Sequence, residues 1–156
     1  MRVTAAVNIL TVNSVAFKMK GQIPVKYACD GEGINPPLEM NNIPADAKSL
    51  VLIMDDPDAP KGLFTHWIVW NIPPNNMIAE NSNPGISGIN SARKTGYHPP
   101  CPPSGSHRYY FKIYALDTTL DLEAGETRDA LEDAMAGHII SQGELMGYYA
   151  MHDGQN

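Results

Sequence analysis

Three apolar runs, each closed by turn-forming residues, constrain this chain more than any other feature. Ser49-Leu-Val-Leu-Ile-Met54 gives way to Asp55-Asp-Pro-Asp-Ala-Pro60, His66-Trp-Ile-Val-Trp-Asn-Ile72 to Pro73-Pro74, and Tyr109-Tyr-Phe-Lys-Ile-Tyr-Ala-Leu116 to Asp117. All three are rich in the β-branched and aromatic residues that fit a pleated, half-buried surface, so each reads as a strand and two of them as central strands. One helix competes with them, from Glu126 to His138, with Thr127 as its cap, Leu131 and Met135 four apart on one face, and Gly137 at its end. Several strands against one helix predict a mostly β protein. With 13 glycines and 13 prolines in 156 residues, many turns and few long helices are expected.

That length predicts a single domain over residues 1–156, with enough chain to bury a core. The segment from Pro73 to Ser106 holds seven prolines among Asn, Ser and Gly and cannot be a continuous ladder strand, because each proline removes a backbone donor. A structured connection of that length inside a small domain is often functional. The 17 Asp and Glu outnumber the 11 Lys and Arg, and the resulting charge of −6 disfavours nucleic acid and anionic membrane surfaces as partners. Any bound anion must be captured locally, against that field. The segment Met1–Leu10 makes a poor signal peptide and no apolar run reaches the roughly 18 residues of a membrane span, so the expectation is a cytoplasmic protein without integral membrane association. In that compartment Cys29 and Cys101, 72 positions apart, are expected as two buried thiols, although spacing alone does not decide whether they are bonded.

Ionisable residues gather at the ends of the apolar runs. Asp56 and Asp58 follow the first, His66 opens the second and His107 precedes the third. If the first two runs pair antiparallel, Asp56, Asp58 and His66 share one rim. In the third run the two-residue period sets His107, Tyr109, Phe111 and Ile113 on one face, with Arg108 turned away to pair with a carboxylate or stack on an aromatic ring. His107 joins the rim if this strand also runs antiparallel to the first. Such a rim holds two imidazoles, a phenol and two carboxylates between walls formed by Pro60, Pro102 and Pro103. Imidazole and phenol can donate to an oxyanion, and a carboxylate behind an imidazole fixes its tautomer and supports its protonated form. Anion binding is then expected to strengthen as the histidines protonate, near the ordinary imidazole pKa of about 6.5. Each member also has a plain structural reading: an Asp before Pro starts a turn, and a histidine can simply end a strand. His98, His138 and His152 show no partner at a readable spacing and are expected at the surface or at a helix end. Ala59-Pro60 is a candidate cis bond because of its tight turn.

Asp56-Pro-Asp-Ala-Pro60, His66-Trp67, Pro102-Pro-Ser-Gly-Ser-His-Arg-Tyr109 and Gly137-His-Ile-Ile-Ser-Gln-Gly-Glu-Leu-Met-Gly147 together resemble the phosphatidylethanolamine-binding protein family, also called Raf kinase inhibitor protein-like, in its short bacterial and archaeal branch. The similarity starts near Phe17, with Ile23-Pro24, Tyr27, Cys29-Asp-Gly31 and Pro36-Pro-Leu38, and covers most of the chain in order. The resemblance implies two antiparallel β-sheets with one or two short helices, and a small anion pocket at the edge of the central sheet formed by Asp56, Asp58, Pro60, His66, Pro103, His107 and Tyr109. It implies phosphate, acetate or phosphorylated head groups as ligands, no cofactor, and a possible homodimer. The competing class it suggests is a protein inhibitor of a kinase or peptidase acting through surface contacts. Two departures stand out. The chain ends soon after Tyr148-Tyr149, without most of the C-terminal helix that lines the pocket in mammalian members, and Tyr97-His98-Pro-Pro100 precedes Cys101-Pro-Pro103. An enzyme is not expected: the histidines and aspartates lack H-x-H, H-x-D or H-E-x-x-H spacing for a metal hydrolase, and Pro-Ser-Gly-Ser around Ser104 and Ser106 is not a G-x-S-x-G elbow.

Overall fold

A computed structural model describes residues 9–151. The Met1–Leu10 reading falls mostly outside these residues, and His152 entirely so. Nine strands and one α-helix follow in the order β1 (Thr11–Asn13), β2 (Gly21–Gln22), β3 (Leu38–Asn41), β4 (Ser49–Asp56), β5 (Phe64–Ile72), β6 (Met77–Ile78), β7 (Ile86–Ser87), β8 (Ser106–Leu116), α1 (Arg128–Met135) and β9 (Ile139–Ala150). The six-stranded sheet has the order β2-β9-β8-β4-β5-β7, and the three-stranded sheet the order β1-β3-β6. All three expected runs are internal strands, and each extends beyond its apolar residues. Pairing is antiparallel except for the two-residue β2, which lies parallel to β9.

The unbroken apolar run of β4 reflects burial on both faces of the sheet. Leu50, Leu52 and Met54 point into the larger core with Trp67, Tyr109, Phe111 and Ile113, while Val51 and Ile53 meet Ile68, Trp70, Leu131 and Met135 on the opposite face. Fully burying side chains of this size stabilises the fold by about 1.5–3 kcal/mol each. In β8, His107, Tyr109, Phe111 and Ile113 are buried and the intervening residues are half-exposed, as the two-residue period requires.

Helix α1 covers the second core. Its N-cap is Thr127, whose side-chain oxygen accepts from the Ala130 amide at 3.2 Å, so the helix starts two residues later than the sequence suggests. Arg128 in its first turn reaches the sheet, where its guanidinium bonds both oxygens of buried Asp55 and Thr65 Oγ1. His138, just past the helix, bonds Asp117 through Nδ1 at 2.8 Å, the helix-end role expected of it.

Two expectations are corrected. Cys29 and Cys101 form a disulfide with Cα atoms 5.4 Å apart, and both residues are exposed rather than buried thiols. The long connection lays residue 101 against the 25–31 turn, where the Cys29 amide donates to the Pro100 carbonyl, and no local spacing announces the bond. No peptide bond among the described residues is cis, so Ala59-Pro60 is trans. The turn is instead closed by Gly62, at φ 107° and with its amide donating to the Ala59 carbonyl at 3.0 Å.

Candidate functional site

Because β4 runs antiparallel to both of its neighbours, its C-terminal end meets the N-terminal ends of β5 and β8. Asp56 closes β4, His66 lies at the start of β5, and His107 and Tyr109 at the start of β8. Topology alone therefore brings together four polar residues spread over 54 positions of chain. They border a cavity of about 170 Å³ whose remaining wall comes from Ala59, Pro60, Phe64, His98, Cys101, Pro102 and Pro103.

The two imidazoles are held in the same way. His107 Nδ1 lies 2.7 Å from Asp56 Oδ2, and His66 Nδ1 lies 2.7 Å from the His98 carbonyl oxygen. Both partners can only accept, so each Nδ1 carries the proton and donates it, which leaves Nε2 as the nitrogen each ring offers to the pocket. The other oxygen of Asp56 accepts the Asp58 amide at 2.8 Å, fixing the carboxylate in its turn. Tyr109 stands between the rings, edge-on to His66 with centroids 5.3 Å apart and stacked near His107 at 6.3 Å. Its hydroxyl is buried without a hydrogen-bond partner among the described residues. Burial, and secondarily the Asp56 charge, push the pKa of this phenol up, so it remains a donor at any ordinary pH.

Burial pushes the His66 pKa down to about 4, only partly offset by its bond to the His98 carbonyl and by the charges of Asp56 and Asp55. This corrects the expectation that both histidines become cationic donors near pH 6.5. At neutral pH His66 offers a lone pair to the pocket.

The predicted residues Asp56, Pro60, His66, Pro103, His107 and Tyr109 all line the cavity. Asp58 does not. It turns to Arg108, accepting from Nε at 2.9 Å and Nη2 at 2.7 Å, and from the Arg108 amide at 2.9 Å. The guanidinium beside it holds its carboxyl down at about 2. Arg108 thus has the structural role expected of it, pairing with a carboxylate, with its guanidinium 6.0 Å from the Tyr110 ring centre.

His98 was missed as a pocket residue. Besides fixing the His66 tautomer, its amide donates to the His66 carbonyl at 3.0 Å, and its ring packs near Phe64 and His66. The available signal was its place among prolines just before Cys101, at the end of the long connection. Three links fasten this wall to the 25–31 turn: the disulfide, the Cys29 amide to the Pro100 carbonyl at 3.0 Å, and Tyr97 Oη to the Tyr27 carbonyl at 2.8 Å.

The sequence profile described as phosphatidylethanolamine-binding protein matches residues 13–150. A UPF0098 protein of Methanothermobacter thermautotrophicus is 45% identical over 148 residues, covering 90% of this chain and 98% of the relative. The crystal structure of a phosphatidylethanolamine-binding protein homologue from Chlamydia trachomatis superposes with a TM-score of 0.90 at 47% identity, covering 93% of this chain and 99% of the other. Escherichia coli YbcL has the same fold, with a TM-score of 0.84 at 24% identity and coverage of 92% and 99%.

Proposed function

The chain belongs to the phosphatidylethanolamine-binding protein family, and on that premise we propose that the pocket between His66 and His107 binds small anionic ligands, phosphate and phosphorylated groups first among them. The observation that carries this reading is the matched anchoring of two buried imidazoles, each with Nδ1 committed to a protein acceptor and Nε2 left for a ligand. Both rings line the same cavity. Asp56 orients the His107 ring by accepting from its Nδ1. The prolines keep the walls rigid and withhold backbone donors, so selectivity falls to a few side chains.

The proposed activity is binding without chemical conversion. Among the described residues the lining holds no serine, threonine, lysine or free thiol, its one cysteine being tied to Cys29. A phosphorylated side chain of a protein partner would meet the same groups as a free phosphate, so a regulatory contact with such a partner falls within the proposal. No helix among the described residues is long and apolar enough to cross a membrane. Disulfides persist in oxidising compartments and in the interiors of heat-adapted cells, so a cytoplasmic location is proposed for the second setting.

Calorimetric titration with phosphate, acetate and phosphoethanolamine tests the reading. Weak binding is expected in the native chain and none in His107→Ala. Equal binding by that variant would remove the pocket from consideration.

A further inference from the structure

His66 faces the pocket because β5 is irregular at that point. In the pairing of β4 with β5, Met54 lies opposite Trp67 and Asp55 opposite Thr65, so His66 is the extra residue of a β-bulge. A strict two-residue period would put His66 on the side of Ile68 and Trp70, which pack with Leu131 and Met135 of α1. Its ring stands instead beside Tyr109, on the same face as its chain neighbour Trp67. Thr65 and Asp55, both buried, are turned the other way, towards α1.

One side chain holds both members of that displaced pair. Arg128, in the first turn of α1, bonds both carboxylate oxygens of Asp55 and donates from Nη1 to Thr65 Oγ1 at 2.9 Å, while its Nε reaches Glu132 at 3.1 Å. Asp55 and Thr65 adjoin Asp56 and His66 in the chain, but they lie on the opposite face of the sheet from the pocket. Resting on the anion-pocket reading, we infer that Arg128 is a positioning residue of the pocket: by clamping Asp55 to Thr65 behind the sheet, it holds the bulge that aims His66 at the ligand.

Simpler tasks do not account for all the contacts of this arginine. The helix gains little from it, since a cation in the first turn opposes the helix dipole. Docking α1 onto the sheet needs only the pair with Asp55, and that carboxylate has a second cation in Lys112, at 3.2 Å. The bond to Thr65 serves neither purpose, and the planar fork of a guanidinium is what lets one side chain reach both partners. The backbone of the bulge turns away to the long connection. The Thr65 amide donates to Ser91 Oγ and its carbonyl accepts from the Ser91 amide, both at 2.8 Å, while the His66 carbonyl accepts from the His98 amide at 3.0 Å. Arg128 supplies a side-chain link from the bulge back to β4.

The experiment compares the intact native chain with Arg128→Lys and with Thr65→Val, each checked for folding by near-ultraviolet circular dichroism. Lysine keeps a cation for Asp55 but cannot fork to Thr65, and valine keeps the branched shape of threonine while leaving the Arg128–Asp55 pair intact. In both variants the nuclear Overhauser contacts between the His66 and Tyr109 rings, whose centroids lie 5.3 Å apart, are expected to weaken. Inorganic phosphate is expected to bind about tenfold less tightly by calorimetry, the worth of one hydrogen bond. An arginine that only docks the helix would change stability and leave both readouts where they are. Unchanged ring contacts, or phosphate affinity within about twofold of the native value, overturn the inference and leave the anion pocket standing. Should Arg128→Lys fail to fold, Thr65→Val decides alone. Should the native chain bind no phosphate, the pocket reading falls, and the ring contacts alone decide whether Arg128 aims His66.

Discussion

His66 should make the protein acid-sensitive in a window set by its burial. The folded chain holds this imidazole at a pKa of about 4, whereas the unfolded chain binds the same proton at about 6.5. Above pH 6.5 both states are neutral at this site and nothing is lost. As pH falls through the window the unfolded state takes up a proton that the folded state refuses, so stability declines and the loss is complete below pH 4. A difference of about 2.5 pKa units corresponds to about 3 kcal/mol in full, of which about 2.5 kcal/mol is reached by pH 4.5. The assay is urea unfolding at pH 7.5 and pH 4.5 of the native chain and of His66→Gln, without added anion. Comparing the pH-dependent losses of the two chains cancels the contribution of His98, which is also depressed, and of any constant destabilisation caused by the substitution. The native chain should lose about 2.5 kcal/mol more than the variant. Losses that agree within about 0.5 kcal/mol would refute the reasoning, because an imidazole free to protonate in the folded state carries no such penalty.

Two further outcomes follow from the geometry around the pocket. Replacing both cysteines by serine should cost about 4 kcal/mol in urea unfolding, the chain-entropy value for a closure spanning 72 positions, and reductant should bring the native chain to the same level. Asp58→Ala should leave phosphate affinity within about twofold of the native value while lowering stability by no more than about 1 kcal/mol, since the half-exposed Arg108 pair lies outside the cavity. A large loss of affinity would return Asp58 to the binding residues.

The strands and the meeting of Asp56, His66 and His107 at one rim were legible because both follow from period and direction, whereas which imidazole Asp56 holds was not. Once β8 is taken as antiparallel to β4, the alternation that buries Phe111 and Ile113 also buries His107 and Tyr109 beside the end of β4. The rest depended on where the long connection lies. His98 enters the site from a segment without periodicity, and its contribution to His66 is a backbone carbonyl, which residue type does not reveal. Asp58 was read with Asp56 because they are two apart, yet the turn points their carboxylates in different directions, one to a histidine and the other to an arginine. The neutrality of His66 follows from packing against Phe64, Tyr109 and His98, a crowding that only the assembled wall creates. The disulfide was illegible for the same reason: residues 72 apart become neighbours only when the wall is in place.

The redundancy of the fastening between residues 97–101 and the 25–31 turn has a consequence of its own. Cutting the sulfur bridge leaves the Cys29 amide and the Tyr97 hydroxyl still tied to their carbonyls, so the native outline of the mouth survives while the unfolded chain gains freedom. Resistance to denaturation and the form of the pocket mouth are thereby decoupled: a molecule carried from oxidising into reducing surroundings would surrender durability first and shape last.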